Sequence, residues 1–185
     1  MKKLNLTENW FLINKKYDLK LKIVAPSTVF EILLENGIIE DPFYGLNELN
    51  MEWIYNSEWE YRTEFKLPKD FFKASELILV FEGLDTIAEI YLNEELIGSV
   101  NNMFKCYKFK IKSMIKNQTN SLKILFKSPT SYADKMIQKY GVKLNTGKEK
   151  RAFQGIPYLR KAQYSFGWDW GPKLPDIGIW KNVKI

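Results

Sequence analysis

The residues best suited to chemistry in this chain lie in one segment, residues 166–180, which holds three tryptophans, three glycines, two prolines and two aspartates. At its centre are Trp168, Asp169 and Trp170. A carboxylate accepts hydrogen bonds from hydroxyl groups, and an indole face covers the C–H surface of a sugar ring, so this trio is suited to binding a polyol. The local pattern fits equally well a tryptophan-rich core strand that ends in a Gly-Pro turn.

Two glycines, Gly167 and Gly171, bracket this trio and permit backbone turns that a Cβ would forbid. If the trio is extended, the two indoles point to one side and the Asp169 carboxylate to the other. We therefore expect the rings to dock on the domain and to present one carboxylate on a stiff loop hinged at the glycines. Trp170 is expected in the core, whereas Trp168 is a candidate either for a pocket wall or for the core.

Several kinds of catalysis are excluded because the chain contains no histidine and a single cysteine. Ser-His-Asp triads, Cys-His pairs and imidazole-liganded zinc cannot form from these residues. Cys106 on its own cannot make an intrachain disulfide or a cysteine metal cluster, and no activating neighbour is visible, so a free thiol is expected. The sequence indicates no cofactor and no metal.

The composition is typical of one globular domain of 185 residues, with 45% hydrophobic and 15% aromatic residues. The net charge is +6, but only three of the 28 basic residues are arginines and the lysines are spread along the chain. Surfaces that track phosphates usually cluster their charge and use arginine forks, so nucleic acid is not an expected partner. Without an apolar signal segment or membrane span, a soluble, cytoplasmic protein is expected.

Short strands are predicted to carry the 166–180 segment. Residues 58–65 alternate charged residues with aromatic residues or threonine, which predicts a half-buried strand with a charged outer face. Further strands are predicted at residues 4–12, 77–81, 87–92, 96–100, 105–111 and 122–126. A tight hairpin at Asn93, Glu94 and Glu95 joins two of them.

One or two short helices interrupt this pattern. The clearer is predicted over residues 28–36, where Thr28 and Glu31 can form a capping box and Gly37 occupies the C′ position. A second is expected over residues 131–140, followed by a mobile loop over residues 141–154. Many strands with few helices predict an all-β fold, an antiparallel β-sandwich of the jelly-roll type.

Ten short blocks of sequence, in a fixed order, extend the signal of the 166–180 segment over almost the whole chain. They are residues 37–45, 47, 53–54, 59–61, 81–88, 91–93, 102–104, 160–163, 166–172 and 178–180. Together they resemble the N-terminal, sugar-binding domain of the β-mannosidases of glycoside hydrolase family 2. The resemblance implies a galactose-binding-like jelly roll over residues 1–185, one domain of a larger enzyme with immunoglobulin-like domains and a catalytic (β/α)8 barrel.

The resemblance also implies site residues. In the family, the aspartate that matches Asp169 reaches hydroxyls of the terminal mannose remote from the anomeric carbon, and Trp168 is a candidate to shape the same pocket. Four residues are implied to support these two: Arg160, Gln163, Gly167 and Gly171. Arg160 is expected to pair with Asp169 or a neighbouring acid and to orient it.

No catalytic residue is implied in this chain, because the family's nucleophile and acid/base are glutamates on the barrel. A retaining glycosidase needs both carboxyl groups, roughly 5 Å apart. The Asn47-Glu48 dipeptide imitates the family's Asn-Glu pair but is interpreted as carrying a turn or loop carboxylate. The implied partners are a β-mannoside sugar and the other domains of the same polypeptide, and the chain alone is expected to hydrolyse nothing.

Purely structural roles are expected for four further tryptophans and for Asp85. Four tryptophans, Trp10, Trp53, Trp59 and Trp180, lie in strand-like stretches and are expected in the core or at its seams. Asp85 is expected to fix a turn by hydrogen bonding to its own backbone.

Three alternatives to a β-mannosidase domain remain open from the sequence. One is the same domain from another family 2 enzyme, such as an exo-glucosaminidase or a β-galactosidase, although the extended Trp-Asp-Trp-Gly-Pro motif favours mannosidase. A free-standing carbohydrate-binding module is the second, and a protein–protein interaction sandwich is the third. The encoding reading frame separates the two family 2 enzymes from the module and the interaction sandwich, because either enzyme requires several hundred further residues with two barrel glutamates.

Overall fold

A computed structural model describes residues 2–141, 155–168 and 170–185 of the chain. The loop predicted after residue 141 and the conformation of Asp169 therefore lie outside the described residues. The strands are β1 (Trp10–Asn14), β2 (Leu19–Ile23), β3 (Ser27–Thr28), β4 (Trp59–Phe65), β5 (Ile78–Phe81), β6 (Leu84–Asp85), β7 (Ala88–Leu92), β8 (Glu95–Val100), β9 (Tyr107–Lys110), β10 (Asn120–Phe126), β11 (Gly178–Ile179) and β12 (Val183–Lys184). The α-helices are α1 (Val29–Glu35), α2 (Glu52–Tyr55) and α3 (Pro129–Tyr140).

The larger layer is a six-stranded sheet in the order β2-β1-β4-β10-β7-β8, and every pairing in it is antiparallel. Burial alternates along β1, β7 and β10, as expected for strands with one face on the core. At the centre of the sheet, Leu12 on β1 pairs with Tyr61 on β4, which in turn pairs with Ile124 on β10. All three side chains are fully buried.

Two three-stranded antiparallel sheets, β3-β11-β6 and β12-β5-β9, complete the fold. Their side chains Leu79, Phe81 and Ile179 are fully buried and belong to the same apolar cluster as the inward side chains of the large sheet. Side chains of different sheets thus share one core, as in sandwiches. The prediction of an all-β antiparallel sandwich is confirmed.

Helix α1 and the β7–β8 hairpin lie where the local sequence predicted them. Helix α1 begins after Thr28, whose N–H donates to Glu31 Oε2 at 3.2 Å, and Gly37 follows it with φ +65°. The β7–β8 hairpin has a two-residue loop, Asn93 and Glu94, both with positive φ as type I′ turns require. Helix α3 begins two residues before its predicted start and, at 12 residues, is longer than α1.

The first predicted strand, residues 4–12, is in fact two pieces. Asn9 has a φ of +60° and breaks the extended backbone. Before it, the N–H groups of Leu4 and Leu6 donate to the carbonyls of Ile185 and Val183 at 2.8 and 2.9 Å. After it, β1 begins and joins the large sheet. The predicted single strand was wrong because the two-residue spacing of large apolar side chains continues past Asn9, although the backbone turns at that residue.

The four tryptophans expected in the core or at its seams lie there. Trp10 and Trp59 are fully buried. Trp53 is half-buried, with its ring 5.8 Å from that of Trp59. Trp180 is also half-buried and lies against Gly83, where a Cβ would come within 2.5 Å of the Trp180 Nε1 atom.

Candidate functional site

The segment that carries Trp168 and Trp170 forms a loop closed by its own backbone. Phe166 and Lys173 make an isolated antiparallel bridge, and the N–H of Trp168 donates to the carbonyl of Gly171 at 3.1 Å. We call residues 166–173 the tryptophan loop. Its first stem is residues 160–165, and its second stem is residues 174–177.

The two glycines of the tryptophan loop differ in what they require. Gly167 has a φ of +87°, and a Cβ there would lie 3.3 Å from Lys173 Cβ, so the bridge needs glycine at this position. The φ of Gly171 lies outside the left-handed region, and the nearest atom to an added Cβ is Trp168 N at 3.8 Å. The second hinge expected from the sequence is therefore absent at Gly171.

Both indoles of the loop face solvent. Trp168 is 69% exposed and Trp170 is 82% exposed, and their rings meet edge to face with centroids 6.0 Å apart. The prediction that Trp170 is a core residue was wrong, as was the expectation that the rings dock on the described part of the domain. Two large, neighbouring apolar rings that face solvent are the kind of feature that marks a binding surface.

The base of the loop is held by a buried ion pair. Lys161 in the first stem is 3% exposed, and its ammonium pairs with the carboxylate of Asp85 on β6. Lys161 Nζ also donates to the backbone carbonyl of Asp176 in the second stem at 2.8 Å. Asp85 was expected to fix a local turn, but its carboxylate accepts hydrogen bonds from Thr86 Oγ1 and Lys161 Nζ instead. Sequence reasoning missed Lys161, because nothing local distinguishes it from the chain's solvated lysines.

The implied supporting residues on either side of Lys161 point outward. Arg160 is exposed, and its side chain makes no ion pair with any acid among the described residues. A pairing of Arg160 with Asp169 remains a prediction, because Asp169 is outside the described ranges. Gln163 is exposed as well, and its Nε2 donates to the carbonyl of Lys161 at 3.1 Å.

Two further segments touch the stems and the loop. The N–H of Met103 donates to the carbonyl of Arg160 at 3.0 Å, and the N–H of Ala162 donates to Met103 Sδ at 3.1 Å. On the other side, Glu48 Oε2 accepts a hydrogen bond from the N–H of Lys173 at 2.9 Å. Glu48 was expected to be a turn or loop carboxylate; it lies in the short 3-10 helix Asn47–Asn50, and its hydrogen bond to Lys173 helps to hold the loop.

These contacting segments together expose an unusual number of large apolar side chains. We call the set the exposed apolar end: Phe43, Tyr44, Leu46, Phe104, Tyr164, Trp168 and Trp170, each between 64% and 84% exposed. Single exposed apolar residues are ordinary on a surface, but a group on neighbouring segments is typical of a surface that another protein or a ligand covers. The tryptophan loop, its first stem and the segments that touch them thus present an apolar surface suited to contact with another molecule.

Asp176, in the second stem, has a carboxylate held against buried backbone. Its Oδ1 accepts hydrogen bonds from the N–H groups of Phe30 and Ile177, at 3.2 and 2.8 Å. Burial raises the pKa of Asp176 from 3.8 to about 6, while these hydrogen bonds, one from Thr28 and the charge of Lys161 oppose the rise. The folded protein therefore binds the carboxyl proton of Asp176 more tightly than the unfolded chain does.

A pH dependence of stability follows from this raised pKa. The contribution of Asp176 to the free energy of unfolding is fully present below about pH 4 and is lost as the pH rises through about 6. Asp176→Asn keeps an acceptor oxygen and removes the titration. We expect wild type to lose on the order of 1–3 kcal/mol relative to Asp176→Asn between pH 4 and pH 7, measured by urea unfolding. Parallel pH profiles for the two proteins would contradict the assignment.

Neither a membrane-spanning helix nor a cluster of metal-binding side chains is present among the described residues. No helix in the described ranges is long and apolar enough to cross a membrane. Within the same ranges, no group of three or more cysteine, aspartate or glutamate side chains is arranged to hold a metal ion.

The antiparallel sandwich that carries the tryptophan loop is of the galactose-binding-like class, as a match to a family model shows. Residues 9–181 match the model of the glycosyl hydrolase 2 galactose-binding domain-like family. The chain belongs to that family. Its predicted similarity to the N-terminal domain of family 2 β-mannosidases is confirmed by the relatives below.

Proteins similar to the chain include β-mannosidases. The chain is 40% identical to the β-mannosidase of Mus musculus over 98% of its length, and 32% identical to a probable β-mannosidase of Caenorhabditis elegans over the same share. The crystal structure of a β-D-mannosidase from Dictyoglomus thermophilum superposes on the whole chain with a TM-score of 0.90 and 42% identity, over 22% of that protein. The chain spans 21% of the length of each of the two curated relatives.

More distant structures share the fold alone. An exo-chitosanase from Amycolatopsis orientalis superposes on 69% of this chain and 17% of its own, with a TM-score of 0.57 and 20% identity. Its similarity is therefore evidence about architecture and not about substrate.

Proposed function

We propose that this chain is the part of a retaining exo-β-mannosidase that packs on the catalytic barrel and supplies one wall of the subsite for the terminal mannose. The observation that carries the proposal is the tryptophan loop: two exposed indoles flank Asp169 in a chain about 40% identical to β-mannosidases. Solvent-facing indoles on an anchored loop are explained when a sugar and a second domain cover them.

The chemistry of this wall is positioning. A carboxylate at residue 169 accepts hydrogen bonds from ring hydroxyls, and the neighbouring indole of Trp168 covers the sugar's C–H face. A ring held at its remote hydroxyls presents its anomeric carbon to the nucleophile in a fixed orientation. Binding energy from these remote hydroxyls can then raise kcat and not only the affinity for substrate. The nucleophile and the acid/base belong to the barrel in this proposal, so both carboxyl groups of the retaining reaction lie outside this chain.

Mannoside is favoured over other family 2 substrates by the pattern of similarity. Identity is 42% to the β-mannosidase of Dictyoglomus thermophilum but 20% to the exo-chitosanase and 16% to a β-glucuronidase of that same bacterium. A free-standing carbohydrate-binding module is less well supported, because the exposed apolar end would then remain uncovered. This chain matches only about a fifth of each β-mannosidase, and further domains like theirs would cover the exposed apolar end.

We also propose a reducing compartment, the cytoplasm, for the parent protein. This location is supported by Cys106, an exposed free thiol, which is at risk of oxidation in secreted proteins. Cell fractionation with an antibody against the chain tests it, and enrichment in a secreted or vesicular fraction would contradict it.

The isolated chain is expected to be catalytically silent, whereas the polypeptide encoded by the full reading frame should hydrolyse aryl β-mannosides. One wall of a pocket makes few contacts with a sugar, so free mannose should bind the chain only weakly. The measurement is release of nitrophenol from the β-mannoside by both proteins, with the β-glucosaminide, β-galactoside and β-glucuronide as controls. Turnover by the chain that survives repurification, or a parent that prefers another glycoside, would refute the proposal.

A further inference from the structure

Both stems of the tryptophan loop converge on a single ammonium group. We propose that Lys161 is a positioning residue for the sugar subsite, which it serves by tying the two stems to Asp85 and so fixing the direction of the tryptophan loop. This inference rests on the proposed function, because it assigns a role in the same site. It concerns a buried residue, whereas the implied supporting residues Arg160 and Gln163 near it in sequence are both exposed.

The geometry is that of a three-way anchor. Lys161 belongs to the first stem and donates to the carbonyl of Asp176 in the second stem at 2.8 Å. It also pairs with Asp85, which lies on β6 and is itself paired with Gly178 of β11. The anchor therefore joins the two ends of the loop to each other and joins both to the sheet.

Burial makes this anchor rigid. The side chain of Lys161 is 1% exposed and that of Asp85 is 7% exposed. A charge withdrawn from water is held by the partners that compensate it, so the ammonium has little freedom to exchange them for solvent. An exposed ion pair would offer no such restraint, because its geometry is weakly held and screened by salt.

Lysine is suited to this task because its ammonium has three donors. It can satisfy a carboxylate and a carbonyl in different directions at once. Methionine fills a similar volume without any donor, so Lys161→Met should release Asp176 and leave the Asp85 carboxylate buried without compensation. That single variant risks unfolding. The pair Lys161→Met with Asp85→Asn removes both charges together and keeps the volume, and it is the variant of choice.

The first experiment is amide hydrogen exchange on the chain itself. With the double variant we expect exchange at Trp168, whose N–H is bonded within the loop, to quicken by at least about tenfold. Amides of β10 at the centre of the large sheet should keep their protection. The matched control is Glu82→Gln with Lys184→Met, which removes a partly buried ion pair that includes no residue of the loop or its stems. Unchanged exchange at Trp168 in a folded double variant would overturn the anchor.

The second experiment is kinetic and uses the full-length parent. The folded double variant should show a fall in kcat/KM of at least about tenfold on an aryl β-mannoside, with kcat reduced as well as KM raised, because a misdirected sugar reacts slowly even when bound. Lys161→Arg keeps the charge and should recover part of the loss. The Glu82 and Lys184 control should stay near wild-type rates.

The exchange and kinetic experiments together distinguish failure of the positioning role of Lys161 from failure of the proposed function. A loosened loop with unaltered kinetics would overturn the positioning role of Lys161. Loss of activity that only follows loss of folded protein would overturn it too, since a purely structural residue behaves in that way. A wild-type parent inactive on β-mannosides would refute the proposed function and the catalytic part of this inference, and the exchange result would still decide whether the anchor exists.

Discussion

Replacing Asp169 by alanine in the full-length parent enzyme is expected to lower kcat/KM for a β-mannoside by at least about tenfold. A hydrogen bond to a charged group contributes about 1.5–3 kcal/mol, and a loss of about 1.4 kcal/mol corresponds to a factor of ten. Misalignment of the ring adds to this loss. The stability of the protein should change little, because the flanking indoles of Trp168 and Trp170 face solvent and hold no core together.

Asp169→Asn is the matched variant for this prediction. It keeps the shape and one acceptor oxygen but not the charge, so part of the lost rate should return. The measurement is kcat/KM together with the melting temperature of both variants. If Asp169→Ala melts much earlier yet turns over normally while folded, Asp169 is a structural cap and the proposed subsite is wrong.

The fold could be predicted wherever its cause is local. Strand β4 was predicted over 58–65, within one residue of its observed start at Trp59, because charged side chains alternate there with aromatic side chains or threonine. The capping box of Thr28 and the Asn93-Glu94 hairpin are likewise set by neighbours within a few positions. The period-two prediction was wrong where the backbone departs from the pattern, as at Asn9, and it missed β2 although leucine and lysine alternate along that strand. The short strand β6 also escaped prediction, since two residues carry no period.

The site could be predicted only in part, because its causes are not local. The segment 166–180 was identified from residue types, and the family match reinforced it. The Lys161 and Asp85 pair joins residues 76 positions apart, so no window of sequence contains both. The exposure of Trp170 was missed for another reason: under the proposed function, the surface that covers it belongs to a domain outside this chain. A tryptophan-rich segment looks the same in sequence whether it packs inside its own domain or against another.

The largest effect on stability is expected from Gly178→Ala on β11, in the last of the matched sequence blocks. Its φ is +148°, a backbone conformation that L side chains rarely adopt. An added Cβ would lie 2.5 Å from the hydroxyl oxygen of Tyr61 and 2.9 Å from the carbonyl oxygen of Ser27. Tyr61 cannot easily move away, because it is fully buried and its ring packs 5.3 Å from that of Phe126.

We therefore expect Gly178→Ala to lower the free energy of unfolding by about 3 kcal/mol or more, the sum of overpacking and backbone strain. At about 2–4 °C per kcal/mol, the melting temperature should fall by roughly 10 °C. Two other glycines separate the causes. Gly45→Ala has a φ of +59° with open space around the Cβ and tests strain alone, whereas Gly171→Ala has neither strain nor a close contact and should be nearly neutral. Adding Tyr61→Phe to Gly178→Ala removes the nearest clashing atom and should restore part of the loss. Equal melting temperatures for the three alanine variants would show that the close approach of β11 to Tyr61 does not limit this position.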